Sequence, residues 1–484
     1  RIMSSKARNT VSFYLNGERQ NIGPDEGGMM LADFLRYRRS LTGTKIVCAE
    51  GDCGACTVLK YDPYAEDCSL QPVNSCIYRV AQMDGTAVIT VEALAEGDVL
   101  SQSQQAMVNC HGGQCGFCTP GFVMALAGLA EERVQKENRE PITSQEAKNA
   151  LTGNLCRCTG YQPILEAAQS IALAANQSLA DRYMTKVIKS ELRALGKRSL
   201  LLSSEQFVFF APTQIKDATH FLKKNPDAKI LAAGTDLGVW QNKGRLEQKK
   251  ILSLQNIKDL HKLEFKKNRV IVGANVPLSR LRQSLKDRVP EVARFLDRFA
   301  SPQIKNVATL VGNLANASPI AECPPFLLAL NSLQRVVGPS GSRKIKIEDF
   351  FIGYRKTALK SGELITHVEF EIPAKEEEFS LFKISQRVDL DISSVNAAFR
   401  MKRIRGKVHD LRIAYGGVAA IPLRLQKTEN LLRGSELSPA DIEKALAVLH
   451  TEITPISDLR GSAAFRRVIS ENLFNQFFVR TGKR

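Results

Sequence analysis

Three cysteines fall within Cys48-Ala-Glu-Gly-Asp-Cys53-Gly-Ala-Cys56, and thiols spaced so closely cannot all face apart. A C-x4-C-x2-C loop completed by a more distant cysteine is a spacing that holds a [2Fe–2S] cluster. Cys76, in Asn74-Ser75-Cys76, is the natural fourth ligand. Gly51 and Gly54 suit such a loop, because a chain wrapped around a cluster needs positive-φ residues and brings backbone N–H groups to the sulfurs. The plainer readings are a zinc site or a spare disulfide. Structural zinc sites pair two short C-x2-C knuckles, which this triple does not resemble.

A second set follows: Cys115-x2-Cys118, then Cys156-x-Cys158. Four more thiolates mean a second metal site, and their spacing alone leaves zinc open. The flanks place it among helices. Thr119 reads as an N-cap with Pro120 at the first helical position, and Phe122, Leu126 and Leu129 make an apolar stripe. Thr143 and Glu146 form a capping box, Gly153 can end that helix, and Pro163 begins another with Ile164, Ala167 and Ile171 on one side. The cysteines therefore lie beside helix N-termini, whose partial positive charge favours an anionic assembly.

The rest of the chain must position these sets. At 484 residues it is too long for one ordinary core, and length suggests about three domains. It lacks any apolar run of the roughly 18 residues that a membrane span needs. Arg1 to Lys6 lacks the apolar core of a secretory signal, so the expectation is cytoplasmic. Eleven cysteines then argue for metal ligation over disulfides. The formal net charge of +17 is dispersed, with local groups at Lys186 to Arg198, Lys249-Lys250, Lys266-Lys267 and Lys402 to Lys407. Aromatic residues do not interleave with them as base stacking would require. A solvated basic surface is expected, with neither nucleic acid nor membrane as partner; docking of an acidic subunit or an anionic nucleotide is the alternative.

Val11, Phe13 and Leu15 alternate with polar residues up to Asn16-Gly17, a hairpin signal, and Met30, Leu31, Phe34 and Leu35 fall at helical spacing. Val58 to Tyr61, the Cys76 region and Val88 to Val91 supply further strands. A small mixed sheet crossed by one helix, with a cluster loop at its edge, resembles the plant-type ferredoxin (β-grasp) fold over residues 8–92. Cys68 reads as a spare thiol, and Cys110 and Cys323 as apolar core. Residues 176–205 turn basic and Ser/Leu-rich without a clear core pattern and read as a linker crossing the surface. From Phe207 the pattern is α/β, and the strand Lys229 to Ala233 ends in Gly234-Thr235-Asp236-Leu237. That turn offers clustered N–H and O–H donors to a pyrophosphate. No G-x-G-x-x-G stands at a strand-to-helix junction, which argues against a Rossmann unit.

The segments Gln114-Cys-Gly-Phe-Cys-Thr-Pro-Gly121 and Gly153-Asn-Leu-Cys-Arg-Cys-Thr-Gly-Tyr161, taken with the first triple, resemble the two-cluster module of the molybdenum hydroxylases, the xanthine oxidase family. The resemblance implies two [2Fe–2S] centres, one on Cys48, Cys53, Cys56 and Cys76 and the other on Cys115, Cys118, Cys156 and Cys158. It places the helical domain's cluster nearest the molybdenum and gives Gln114 a contact with the pterin cofactor. Ala232 to Leu237, Ile271 to Leu278 and Gln303 to Asn313 resemble the family's FAD domain, of vanillyl-alcohol-oxidase type, which binds FAD between two α/β lobes. By matched position, Ile230, Leu231, Ala232, Ala233, Gly234, Thr235, Asp236 and Leu237 would cradle the pyrophosphate. Phe299 would pack near the flavin, and Thr309, Gly312 and Asn313 would hold the cofactor. Two departures stand out: Val311 replaces the first of two family glycines, and Ser318-Pro-Ile-Ala-Glu322 ends in glutamate where relatives have aspartate. Glu322 is kept as a ribose binder. Lys383 matches a lysine that touches the flavin, with Asp389 and Asp391 as tuning charges, although the plain reading of that charged loop is solvated surface.

The resemblance implies a multidomain α+β chain. It comprises a ferredoxin-like domain (8–92), a four-helix [2Fe–2S] domain (93–175), the linker, an α/β FAD domain (206–375) and a C-terminal α/β flavoprotein domain (376–484). Ala414 to Val418 and Pro422 to Arg424 carry the last, with helices from Ser438 to Leu449 and from Ser462 to Val479. The chain stops where fused relatives continue, so a large molybdopterin-binding partner subunit is expected, as a dimer of heterodimers. This would be the small subunit of a bacterial-type two-subunit enzyme whose partner hydroxylates a purine with water; electrons would pass through both clusters to FAD and on to NAD. No general acid, base or nucleophile is expected here. Clusters and flavin on one chain, clusters first, favour xanthine or hypoxanthine as substrate; an aldehyde, nicotinate or another N-heterocycle is the alternative, and a zinc-stabilised binding protein the remote one.

Overall fold

The computed structural model describes residues 7–63, 70–245 and 249–481, so Cys68 lies outside the described residues. The chain divides into two compact units, Arg1–Lys258 with Ser301–Ala308 and Asp259–Ala300 with Thr309–Arg484. The segment read as an FAD domain is thus shared between them.

The first unit opens with a five-stranded sheet in the spatial order Glu18–Ile22, Val11–Leu15, Ala87–Ile89, Thr57–Tyr61, Leu70–Asn74. Asn16 and Gly17 both take positive φ, which is what a two-residue hairpin turn needs to follow strand twist. Ala87–Ile89 then joins parallel to Val11–Leu15 and antiparallel to Thr57–Tyr61. Val11, Phe13 and Leu15 turn inward to Leu31, Phe34 and Leu35 of the helix Leu31–Arg38. Each side chain so buried contributes roughly 1.5–3 kcal/mol. Cys76 lies just past the strand Leu70–Asn74, in the 3-10 turn Ser75–Ile77. That turn ends the ladder and swings the thiol back to the cysteine loop.

Four helices follow: Gln102–Asn109, Thr119–Gln135, Ser144–Leu151 and Gln162–Ser170. Thr143 and Glu146 close the expected capping box. Two expectations need correction. Cys118, not Thr119, occupies the N-cap, because Phe122 N–H already bonds Cys118 O at 3.2 Å and starts the helix one residue earlier. The third helix ends at Leu151 with Thr152 as its C-cap, and Gly153 serves packing instead: a Cβ there would lie 1.9 Å from Gln303 Oε1.

Residues 176–205 are not a bare surface crossing either. They contain the helices Leu179–Tyr183 and Lys186–Leu195 and the strand Leu200–Ser203. Leu179, Met184, Leu192 and Leu195 enter the core of the helical region, with Ile188 packed against it. The spacing Ile188, Leu192, Leu195 is an amphipathic signal hidden among lysines and arginines. A small α/β layer completes the unit, its strands ordered Leu200–Ser203, Val208–Ala211, Lys250–Ser253, Lys229–Leu231. The helices Ile215–Lys224 and Thr235–Asn242 belong to it.

The second unit holds two larger antiparallel sheets and the two-stranded pair Phe351–Gly353 with Lys356–Thr357. One of the larger sheets runs Leu263–Lys266, Arg269–Gly273, Leu364–Glu371, Leu333–Gly338, Gly341–Lys346. The other runs Glu377–Ile384, Val395–Ile404, Lys407–Gly416, Leu423–Arg424. Phe399, Ile413 and Tyr415 on one face of the latter bury Leu449, Phe474 and Phe477 of the helices Pro439–Glu452 and Ala463–Thr481. No helix among the described residues is long and apolar enough to cross a membrane.

Candidate functional site

The fold brings each cysteine quartet together. In the first, Cys48 hydrogen-bonds with Cys53 and Cys76, and Cys56 with Cys76. Gly51 and Gly54 take the positive φ their loop demands, and Ala49 does so as well. The amides of Glu50 and Cys53 point at Cys48 Sγ, at 3.4 and 3.5 Å. Bonds from Cys53 and Cys76, then the two amides, hold the Cys48 thiol far below the usual range against the opposing effect of burial. Its partners move the other way: the bond to Cys48 and then burial push Cys53 up, and bonds to Cys48 and Cys56 push Cys76 up. The bond from Cys76 lowers Cys56 despite its burial.

In the second quartet, Cys158 Sγ stands 3.6 Å from Cys115 Sγ and 3.8 Å from Cys156 Sγ. Two thiolates on one tetrahedral metal, each about 2.3 Å from it, stand about 3.8 Å apart. Burial pushes Cys118 up to about 12, helped by its bond to Cys156. For Cys156 burial works upward, but the hydroxyl and amide of Thr159 outweigh it and bring the thiol to about 7. Gly116, Gly160 and Tyr161 supply the left-handed backbone of these loops. No group of three or more His, Cys, Asp or Glu side chains among the described residues gathers closely enough for a single metal ion. A bridged two-iron centre takes four thiolates, two per iron, and an all-cysteine donor set in each quartet fits such a centre.

The two cysteine loops are laced directly. Leu155 N–H donates to Cys53 O at 3.0 Å, and Asn154 Nδ2 to Gly54 O at 3.2 Å. Gln303 Nε2 bonds Asn154 Oδ1 at 2.8 Å and Thr57 Oγ1 at 3.2 Å. A Cβ at Gly121 would lie 2.3 Å from Gly54 O, and one at Gly54 would lie 2.2 Å from Gly153 O. Sequence reasoning missed Asn154 and Gln303 as lacing residues; only the presence of glycines beside the cysteines hinted at close backbone approach.

The turn read as a pyrophosphate cradle is also in the first unit. Gly234 stands at φ +78° as the N-cap of Thr235–Asn242 and contributes no side-chain cap. First-turn amides, at the positive end of a helix, fit a phosphate group. Ala232, Ala233, Gly234, Thr235 and Leu237 are partly exposed, Ile230 and Asp236 are exposed, and Leu231 is buried.

In the second unit, Thr309 caps the helix Leu310–Ala315 by accepting from Gly312 N at 2.9 Å. Asn313 Oδ1 accepts from Cys323 N at 3.3 Å. Lys383 is not on a solvated loop but in the strand Glu377–Ile384, its side chain 1% exposed and 2.9 Å from Glu322. Its Nζ also donates to Arg298 O at 2.8 Å, beside Phe299, and Ser393 donates to Glu322 through both its amide and its hydroxyl. Glu322, Lys383 and Ser393 thus form one connected cluster, and Phe299 and Asn313 reach it only through their neighbours Arg298 and Cys323. Asp389 and Asp391 lie on the loop that follows, where Asp391 accepts from Arg387 N at 3.0 Å. The mutual neutralisation of Lys383 and Glu322, with Ser393 as a third member, was not legible beforehand.

Comparison with known proteins matches this layout. Residues 90–169 match the family described as a [2Fe-2S] binding domain. Residues 204–375 match the FAD binding domain in molybdopterin dehydrogenase, and 380–481 the CO dehydrogenase flavoprotein C-terminal domain. The chain belongs to the molybdenum hydroxylase family. Among relatives of this hydroxylase chain, xanthine dehydrogenase 2 of Arabidopsis thaliana is 30% identical over 96% of the chain and 39% of its own length. Xanthine dehydrogenase/oxidase of Gallus gallus is 28% identical over 96% of the chain and 40% of its own. The hydroxylase chain therefore spans about two fifths of the curated relatives it matches. Of solved structures, a CO dehydrogenase chain from Oligotropha carboxidovorans has a TM-score of 0.53 at 27% identity over 57% of this chain and 97% of that one. Quinoline 2-oxidoreductase from Pseudomonas putida 86 has 0.52 at 25% over 58% and 98%. An iron–sulfur-binding domain and an FAD-binding domain in this family give the chain an electron-transfer role.

Proposed function

We propose that this chain is the iron–sulfur and flavin part of a xanthine dehydrogenase, serving a molybdopterin-bearing partner subunit and passing electrons to NAD. When bound, the two clusters carry single electrons and the flavin gathers them in pairs. The chain's own residues hold and tune these groups. Cys48, Cys53, Cys56 and Cys76 would ligate one cluster and Cys115, Cys118, Cys156 and Cys158 the other. By matched position in the family, the Gly234 turn would take the FAD pyrophosphate, and Phe299, Thr309, Gly312, Asn313, Glu322 and Lys383 are candidate contacts for the cofactor in the second unit. Backbone amides aimed at Cys48 and Cys156 stabilise the thiolate form and bias each centre's potential.

The observation that carries the reading is the lacing of the two quartets, in which the carbonyl of one ligand, Cys53, meets the amide next to another, Cys156. The choice of xanthine rests on chain arrangement: the xanthine dehydrogenases match over 96% of this chain, iron–sulfur and flavin regions together, whereas the solved CO and quinoline chains, matched over 97–98% of their own length, correspond to only 57–58% of it. Isolation of the native assembly and assay of xanthine with NAD tests it. Rapid reduction of NAD by xanthine is expected; a complex that contains molybdenum, iron and flavin yet turns over only CO, an aldehyde or another N-heterocycle would overturn the substrate assignment.

A further inference from the structure

The helix Thr235–Asn242 starts at the Gly234 turn and ends against the first cysteine loop. Eight residues make it roughly 12 Å long, so the expected pyrophosphate turn and the Cys48 loop stand at opposite ends of one short rod. At the far end, Asn242 Nδ2 donates to Ala49 O at 2.9 Å and to Cys76 O at 2.8 Å. Lys243 beside it pairs with Glu50 at 2.5 Å. The segment Cys76 to Gln82 runs along the rod. A Cβ at Gly238 would lie 2.2 Å from Ile77 O, and Arg79 donates to Gln241. At the near end Gln82 Nε2 donates to Ala233 O at 2.8 Å, the carbonyl just before Gly234. Gln82 is itself held by Arg79 N–H through its Oε1 at 3.0 Å.

One amide therefore joins a carbonyl of the cluster loop to that of the candidate ligand Cys76, while another fastens the segment after Cys76 to the phosphate turn. We propose that Asn242 and Gln82 are positioning residues that couple FAD binding at the Gly234 turn to the geometry of the first iron–sulfur centre. The inference rests on the proposed function, in which both groups are bound. Close backbone packing at Gly238 leaves no slack along the rod, so a shift at one end reaches the other. The coupling is reciprocal: the factor by which FAD tightens the cluster loop is the factor by which the loaded loop tightens FAD.

The test uses the purified full chain, with iron, sulfide and FAD assayed first; their absence defeats the functional reading before the coupling is examined. In loaded protein, electron paramagnetic resonance of the reduced sample is recorded before and after FAD is stripped. Stripping should shift one of the two [2Fe–2S] signals and leave the other in place. In Asn242→Leu that same signal should already be displaced with FAD bound, and FAD should dissociate about fivefold more readily. Gln82→Met, which keeps the side chain's length and touches no loop carbonyl, should weaken FAD similarly from the near end and decides the matter if Asn242→Leu fails to fold. Two unmoved signals on stripping, or wild-type FAD affinity in Gln82→Met, would overturn the proposal.

Discussion

The two cysteine quartets have the same donors and opposite surroundings. Cys56 and Cys76 are 2% and 3% exposed, packed with Ala32 and Ile77. Cys115 and Cys158 lie at the surface, in loops that also expose Phe117, Leu155 and Tyr161. Ligand type does not by itself make a redox centre: burial, amide dipoles and water access set its potential and its reach. Two thiols of the first quartet are part of a core, whereas two of the second stay at a boundary that a further surface can cover.

Removing a ligand from each side is the strongest way to break this contrast. Cys76→Ser should lose about half of the bound iron and lower stability by about 2–5 kcal/mol, since a buried hydroxyl replaces a ligand in the core. Cys158→Ser should lose as much iron with a smaller drop in melting temperature. Either should stop electron flow to FAD while NADH still reduces the flavin. Iron analysis and thermal unfolding compare the pair, and equal melting losses would erase the distinction. Gly121→Ala comes next. Its Cβ would press on the Gly54 carbonyl, costing about 1–3 kcal/mol and disturbing both paramagnetic signals. Gly116→Ala, where a Cβ meets nothing within 4 Å, should cost only the left-handed backbone penalty of about 1–2 kcal/mol and move the second signal alone.

Gln303→Leu should be milder still. It strands the Asn154 amide oxygen at about 1 kcal/mol or more and alters the magnetic interaction between the centres without emptying either. The smallest effect is chemical access. After iron is removed by chelation, iodoacetamide should label Cys115 and Cys158 well before Cys56 and Cys76 by mass spectrometry. Simultaneous labelling would show that the buried set opens as readily as the exposed one.

Much of the local structure could be read in advance. The Asn16-Gly17 turn, the capping box of Thr143 and Glu146 and the positive φ of Gly51 and Gly54 are decided by neighbours within a few residues, and the structure has all of them. The structure departs from the local reading where a one-residue shift of a helix start or a distant partner set the outcome. Thr119 looked like a cap until Cys118 began the helix, and Gly153 like a helix stop until its space was seen to belong to Gln303. The basic stretch through Lys186–Leu195 hid a buried stripe because charge dominates its composition.

Taken alone, the amino-acid sequence determined which thiols are available, how they are spaced and where the backbone can turn left-handed, since these are properties of short segments. Tertiary structure alone decided that Cys56 and Cys76 are buried while Cys115 and Cys158 are exposed, that Lys383 meets Glu322 across 61 residues and that Asn242 reaches Cys76 across 166. Contacts of that span carry a loop-closure and ordering cost that no local segment can offset. They form only when packing of the whole core repays it.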